Sequence, residues 1–347
     1  VIVKFTPGGD LERSWGRPEP VTLQNVAKLA GVSLSAASVA INGTRSGTRL
    51  SAEKRRHIIE VAANAGYRPN GIARALVRGR TNIIGVYTGE SRLDSRNTFF
   101  AEVLGGVFDA ASTRGFNTTI YTTGRTDSDL VEFVSSRSFD GLILHASPND
   151  PILTLLHDLR IPAVAIADAV TELPSVVVDD YAGGVLQAEH LAALGHKHVL
   201  LKLRMLHKGS AFNRMDAFKE RAQALGMKVS ESLETLDILE GLSVEDIGLM
   251  TRSEDRVSAI VAWQDDVALS ICHKLTSMGI SVPEKVAVVG FNGFRHLFEP
   301  KLRLTSIYAP WSEVAIRATA ILCDLIEGRA VPATTTLPVQ FVRGATT

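Results

Sequence analysis

The chain has 347 residues, 45 % of them hydrophobic, and balances 37 Lys and Arg against 37 Asp and Glu; at roughly 150 residues per domain that leaves room for two or three domains with sizeable cores. The zero net charge hides a division: residues 21–80 hold 10 Lys or Arg against 2 Asp or Glu, which leaves 27 against 35 for the rest, so a segment at +8 is joined to a remainder at −8. Two distant cysteines, Cys272 and Cys323, exclude a disulfide framework and paired zinc or redox motifs, and no run of about 18 apolar residues could span a membrane as a helix.

Residues 1–20 place Pro7, Gly8 and Gly9 after a short apolar opening and lack the apolar core of a secretory signal. They read as a poorly ordered extension, and the protein as cytoplasmic. From Thr22 the pattern turns helical. Thr22 can cap a helix whose apolar residues Leu23, Val26, Ala27 and Ala30 recur at spacings of three and four. Gly31 suits the left-handed turn that ends a helix, and Ser33 is a good cap for a second helix over Leu34–Ile41. Two short helices joined by a tight glycine turn form a helix-turn-helix unit. After a polar, basic loop, Ser51 caps a third helix that runs through Val61 and Ala62 to Gly66 and points Lys54, Arg55 and Arg56 outward. A basic module of this kind seeks a polyanion or forms a solvated face. Asn70, after Pro69, can cap one more short helix over Gly71–Arg78 bearing Ala73, Leu76 and Val77.

This stretch resembles the N-terminus of the LacI/GalR family of bacterial repressors. The resemblance rests on Val21-Thr22, Val26-Ala27 and Ala30-Gly31-Val32-Ser33, on Asn42 after the second helix, and on Gly66-Tyr67-Arg68-Pro69-Asn70. It implies that the second helix enters the major groove of an operator, where its first side chains meet base edges. The implied DNA-contacting set is Thr22, Ser33, Leu34, Ser35, Ser38, Val39, Asn42, Arg49, Tyr67, Asn70, Ala73 and Leu76. Of these, Leu34, Ser35 and Val39 are expected to be exposed and to read sequence. Val39 stands where a basic or imidazole side chain is frequent, and could only pack on a thymine methyl. Ser33, Ser38, Asn42, Arg49 and the Lys54–Arg56 cluster suit phosphate contacts, which position without specifying. Residues 70–80 resemble the family's hinge helix, with Leu76 as the wedge that kinks the duplex from the minor groove.

Beyond Thr81 short apolar strands alternate with amphipathic helices. Strands are expected at Ile83–Val86, Thr118–Tyr121, Leu142–Leu144, Ala163–Ile166, Val176–Val178, Val199–Leu203, Ala259–Ala262 and Val286–Val289. Helices are expected at about 101–114, 128–136, 212–225 and 267–278. Such alternation means parallel sheets covered on both faces, and two such halves suggest a cleft with ligand groups at the carboxyl ends of the strands. The family resemblance continues here through Phe99-Phe100-Ala101-Glu102, Asp140-Gly141, Asp179 with Gly183-Gly184, and His190-Leu191 to Gly195-His196. It also includes Arg214 with Phe218, Asp265 with Ala268-Leu269, and Val289-Gly290-Phe291.

The implied architecture is an all-α helix-turn-helix domain over 21–69, a hinge over 70–80, and an α/β periplasmic-binding-protein-like core of two Rossmann-like lobes over 81–347. Lobe one would hold about 81–194 and 308–328, and lobe two about 195–307 and 329–347, with the strands around Thr335–Val342 returning to lobe two. The implied effector residues are Phe100, Arg214, Trp263, Asp265, Phe291 and Asn292. Arg214 offers a planar fork to vicinal hydroxyls or a carboxylate or forms a surface ion pair. Asp265 serves a ligand or caps the following helix, while Phe100 and Phe291 line the pocket or belong to the core. Gln264, Ala217 and Arg204-Met205 depart from the family's usual residues, and Arg204 would suit an acidic or phosphorylated effector.

The resulting expectation is a DNA-binding transcription regulator, a repressor controlled by a sugar or sugar derivative, acting as a homodimer or dimer of dimers and needing no cofactor or metal. A transporter's solute-binding protein would share the bilobal core but not the basic module. An α/β enzyme would need one of the phosphate-loop, nucleophile-elbow or metal-helix motifs, and none is present.

Overall fold

A computed structural model describes residues 21–42, 50–69, 75, 79–89, 97–121, 127–147, 149–203, 209–233, 241–252, 254–294 and 303–347. The chain divides into two compact units, Val1–Thr81 and Asn82–Thr347.

Among the described residues the first unit packs three helices: α1 (Leu23–Leu29), α2 (Leu34–Asn42) and α3 (Ala52–Asn64). Thr22 and Asn25 form a reciprocal cap at the start of α1, the Thr22 side chain accepting from Asn25 N and the Asn25 side chain from Thr22 N, so two otherwise orphaned amides are satisfied. Gly31, at φ +63, turns the chain left-handed and lets Val32 N donate to the Ala27 carbonyl. Ser33 Oγ then accepts from Ala36 N to start α2, and Ser51 accepts from Lys54 N to start α3. The core is small-sided: Val26, Ala27, Ala30, Ala37, Ala40, Ile58 and Ala62. Alanines at the crossing let α1 and α2 approach closely.

Among the described residues the second unit holds two six-stranded sheets. In the first, the spatial order is β11 (Thr334–Leu337), β5 (Ser175–Val178), β4 (Ala163–Ile166), β3 (Gly141–Leu144), β1 (Ile83–Tyr87) and β2 (Asn117–Tyr121). Every pair in it is parallel. The second sheet runs β12 (Gln340–Val342), β10 (Thr305–Tyr308), β9 (Ala287–Asn292), β8 (Ala259–Ala262), β6 (His198–Leu203) and β7 (Lys228–Leu233); β12 alone is antiparallel to its neighbour. β3, β4 and β8 are buried along their whole length, as strands covered on both faces must be.

Helices α4 (Thr98–Thr113), α5 (Asp127–Ser135), α6 (Pro151–Leu159) and α11 (Trp311–Ile326) belong with the first sheet. Helices α7 (Asp180–Ala193), α8 (Ser210–Ala224), α9 (Val244–Thr251) and α10 (Asp265–Ser277) belong with the second.

The chain passes between the lobes after β5, after β10 and between β11 and β12. Two of these crossings differ from the sequence expectation of 195, 308 and 330. The whole of α7 sits in lobe two, where Ala188 and Leu191 share a core with Val199, Leu201, Met215 and Phe218. The cause is local: Gly183 and Gly184 strip α7 of side chains where it meets α8 and Phe291. The C-terminal strands also divide. Thr334–Leu337 pairs in parallel with β5 of lobe one, and only β12 joins lobe two, so residues 329–337 belong to the first lobe rather than the second.

A methyl group added at Gly184 would land on the Arg214 carbonyl oxygen, a backbone atom that cannot rotate away. We therefore expect Gly184→Ala to destabilise the second unit by about 1–3 kcal/mol, the usual penalty of overpacking. Gly105, in α4, faces open space, so Gly105→Ala should stabilise by about 0.5–1 kcal/mol through helix propensity. Denaturant unfolding of the two variants side by side checks both signs.

Candidate functional site

At the surface of the first unit, Leu34 is 51 % exposed and Ser35 is exposed beside it, both in the first turn of α2. Thr22 and Ser33 are also exposed, while Ser38, Asn42 and Tyr67 are half-buried. Asn42 Nδ2 donates to Ser38 Oγ at 3.3 Å, and the Tyr67 amide donates to the Ala62 carbonyl at 2.9 Å while its ring packs on the bundle core. Lys28, Lys54, Arg55, Arg56, Arg68 and Arg80 are all exposed.

One expectation fails here. Val39 is 5 % exposed rather than open: it follows the buried Ala36 and Ala37, and the Arg55 guanidinium reaches its carbonyl at 3.5 Å, bringing the long Arg55 side chain alongside this turn. Arg49, Asn70, Ala73 and Leu76 lie outside the described residues, as do Arg204 and Met205.

In the second unit the structure brings most of the expected effector residues into one buried cluster, built on the carboxyl ends of the lobe-two strands. Arg214 projects from α8 and is held on three sides. Its Nη1 donates to the Trp263 carbonyl at 3.1 Å, its Cζ sits 3.7 Å from the Phe291 ring centre, and its Nε lies 2.8 Å from Asp180 Oδ1. That last approach is a salt bridge between two buried charges. Arg214 is thus an internal ion pair, neither a surface one nor an open fork.

Burial pushes the Asp180 carboxyl up to about 6, against the pull of Arg214 and with a further push from Asp168 and Asp179. Asp180 carries no distinctive sequence signal, since an acid in the first turn of a helix is ordinary.

Asp265 departs from one of the two readings offered for it, the helix cap. It does not cap α10; its Oδ1 accepts from Ser306 Oγ at 2.6 Å and its Oδ2 from Phe294 N at 2.8 Å. The carboxyl therefore ties the end of β9 to β10. Burial drives it up to about 7, and the Ser306 and Phe294 hydrogen bonds only partly offset this. Asn292 holds φ +113, accepts from Trp311 Nε1 at 3.0 Å, and through its carbonyl takes the Ala309 amide.

Phe291 is fully buried beneath Arg214, and Phe100 is buried in lobe one. Phe100 stands apart from the Arg214 cluster. It meets Phe99 edge-on at 5.0 Å and His145 at 5.7 Å, and Phe99 in turn meets Trp311 at 4.9 Å. Opposite them, Asp168 lies 3.6 Å from His145 Nε2 and accepts from Ser210 N at 2.5 Å, which caps α8 from the other lobe.

Residues 22–70 match the family described as "Bacterial regulatory proteins, lacI family", and residues 188–347 match the "Periplasmic binding protein-like domain". The chain belongs to the LacI family. It is a DNA-binding transcription regulator of that family, with the two-part fold that the family shares.

A relative in the LacI family, the HTH-type transcriptional repressor PurR of Vibrio vulnificus (strain CMCP6), is 26 % identical over 332 residues, 89 % of this chain and 92 % of that protein. The lac repressor dimer bound to operator and the anti-inducer ONPF superposes with a TM-score of 0.78 at 22 % identity, covering 94 % of this chain and 99 % of that one. The complex of the transcriptional regulator CelR with cellobiose superposes with a TM-score of 0.67 at 25 % identity, covering 95 % and 100 %. Among the described residues no helix is long and apolar enough to cross a membrane.

The Asp265 environment has a measurable signature. Its folded-state carboxyl is raised from 3.8 to about 7, so the folded state holds a proton that the unfolded state releases. Stability from this group is full below about pH 4 and is lost as pH rises through 7. Asp265→Asn keeps an acceptor for Phe294 N and a partner for Ser306 without the charge. Unfolding free energies measured from pH 4 to 8 should show the variant gaining on the native protein as pH rises, with no gap at the acid end.

Proposed function

We propose that this LacI-family regulator is an operator-binding repressor whose grip on DNA is set by a small-molecule effector, a sugar or sugar derivative, held between the two lobes. The observation that carries the DNA half is the first turn of α2: Leu34 and Ser35 stand exposed on a helix whose unit bears exposed Lys54, Arg55 and Arg56. Side chains at the start of a recognition helix reach base edges while the cations take phosphates and release counterions. Thr22, Ser33, Ser38, Asn42 and Tyr67 belong to the positioning contacts in this reading, with Arg49 in the same role. Asn70, Ala73 and Leu76 form the hinge, where unstacking a base step costs a few kcal/mol. Val39 is left out of the base-reading set because it is buried.

The effector half rests on Arg214, Trp263, Phe291 and Asn292 gathered at the strand ends, with Phe100 and its aromatic neighbours as the facing wall. That the complex of the similar regulator CelR holds cellobiose supports a carbohydrate. The reading involves no catalytic step and a homodimer as the active form. An effector that prefers one lobe arrangement about 100-fold shifts the equilibrium by roughly 2.7 kcal/mol.

Selection of bound fragments from a random DNA pool tests the reading. One enriched motif should emerge, and Leu34 and Ser35 variants should lose discrimination by about 1–3 kcal/mol at single base pairs. Lys54→Ala and Arg56→Ala should weaken all sequences alike and lower the salt slope by about 1 each. Leu76→Ala should weaken the enriched motif while sparing effector affinity. Equal attachment to every fragment would refute the proposal.

A further inference from the structure

The helix that presents Leu34 and Ser35 is chemically sparse. Over its whole length, Leu34–Asn42, α2 carries no Lys, Arg, His, Gln, Asp or Glu. Its one amide side chain, Asn42, closes the last turn, is half-buried and donates to Ser38 Oγ at 3.3 Å. Ala36, Ala37, Val39 and Ala40 are buried. That leaves Leu34 and Ser35 as the exposed side chains of α2.

Base pairs in the major groove are told apart by the groups on their edges. Guanine is read by a cation that bonds O6 and N7, and adenine by an amide that bonds N6 and N7. The exposed turn of α2 has neither. The cations of this unit stand elsewhere, Lys28 on α1 and Lys54, Arg55 and Arg56 on α3, and Arg55 is engaged with the Val39 carbonyl. The Ser35 hydroxyl both gives and takes a hydrogen bond, so it suits several bases. Leu34 offers methyl groups alone, and the apolar mark in the major groove is the C5 methyl of thymine.

We propose that α2 reads its operator by a methyl group rather than by a hydrogen-bond pattern, with Leu34 as the specificity-determining residue. The inference rests on the reading of α2 as the recognition helix. The base that faces Leu34 is thymine in an unmodified operator. A 5-methylcytosine carries the same methyl on the same edge, so methylation of a cytosine at that position turns a poor site into a good one. Occupancy of such a site then depends on the methylation state of the DNA. Burying one methyl group changes affinity about fourfold, which is part of what exchange of the whole base pair costs.

The test uses the full chain and three random duplex pools, one with ordinary bases, one with uracil for thymine and one with 5-methylcytosine for cytosine. The ordinary pool should yield a motif with thymine at a position whose preference disappears in Leu34→Ala. In the uracil pool that position should lose its preference, and in the third pool 5-methylcytosine should be enriched there beside thymine. On a single duplex drawn from the ordinary pool, uracil in place of that thymine should weaken binding about fourfold, and a methylated cytosine there should bind about fourfold more tightly than a plain one. Neither change should register with Leu34→Ala, which trims a side chain that is 51 % exposed and should melt as the native chain does. Leu34→Gln supplies an amide and should move the preference to adenine.

A motif unchanged by Leu34→Ala, guanine at the Leu34-dependent position, equal affinity for the thymine and uracil duplexes, or a difference between them that persists in Leu34→Ala would each overturn the proposal. Each of those results still includes an enriched motif and leaves the repressor reading standing. Absence of any motif from all the pools would end both.

Discussion

A guanidinium and a carboxylate taken out of water together govern the second unit. Each alone would be costly to bury, and the pair is tolerated only because packing presents it in good order. Phe291 supplies a ring face under Arg214, the Trp263 carbonyl takes one of its N–H groups, and Asp180 supplies the opposite charge. The arrangement needs α7 and α8 nearly in backbone contact, which is what Gly184 against the Arg214 carbonyl provides. Removing either charge would strand the other at about 3–5 kcal/mol. The lobe-two strand ends, the start of α7 and the core where Phe291, Phe294 and Ile307 pack with Trp311 and Val314 are therefore adjusted to one another.

Much of the architecture was legible because its signals are local. Thr22, Gly31, Ser33 and Ser51 announce helix ends by hydrogen-bonding chemistry that depends on few neighbours, and the structure uses each as expected. The buried parallel strands are equally plain, since Ala163–Ile166 or Ala259–Ala262 can only lie inside. β7 was missed because its sequence, Lys228–Leu233, is half polar, as an edge strand exposed along one side is. The first crossing was misplaced for a related reason. Periodicity says that 180–193 is helical but not which sheet it covers, and that choice is made by Gly184 meeting a helix thirty residues on and Gly183 meeting Phe291.

The candidate site was legible in membership more than in role. Arg214, Trp263, Phe291 and Asn292 do converge, yet the sequence offered them as ligand contacts, whereas the structure spends their polar groups on one another and on Trp311 and Asp180. Asp265 is the sharpest case. A strand-end acid before a helix suggests a cap or a ligand, and only the three-dimensional placement of Ser306 and the Phe294 amide makes it a tie between two strands. Val39 likewise has the helical position of a reader, but it is buried, and Arg55, sixteen residues away, reaches its carbonyl. Partners distant along the chain decide what a side chain is free to do, and a single sequence does not list them.

The three passages between the lobes run side by side. Leu337 stands in register with Val178, Tyr308 with Gln340, and the Asp179 amide reaches across to the Leu337 carbonyl at 2.9 Å. Three adjacent struts resist swivel and slide but yield to bending about the line they define, so the halves work as a pair of jaws on one axle. A molecule lodged far from that axle gains leverage, because a small change in jaw angle moves the tips most. One held near it has little mechanical advantage.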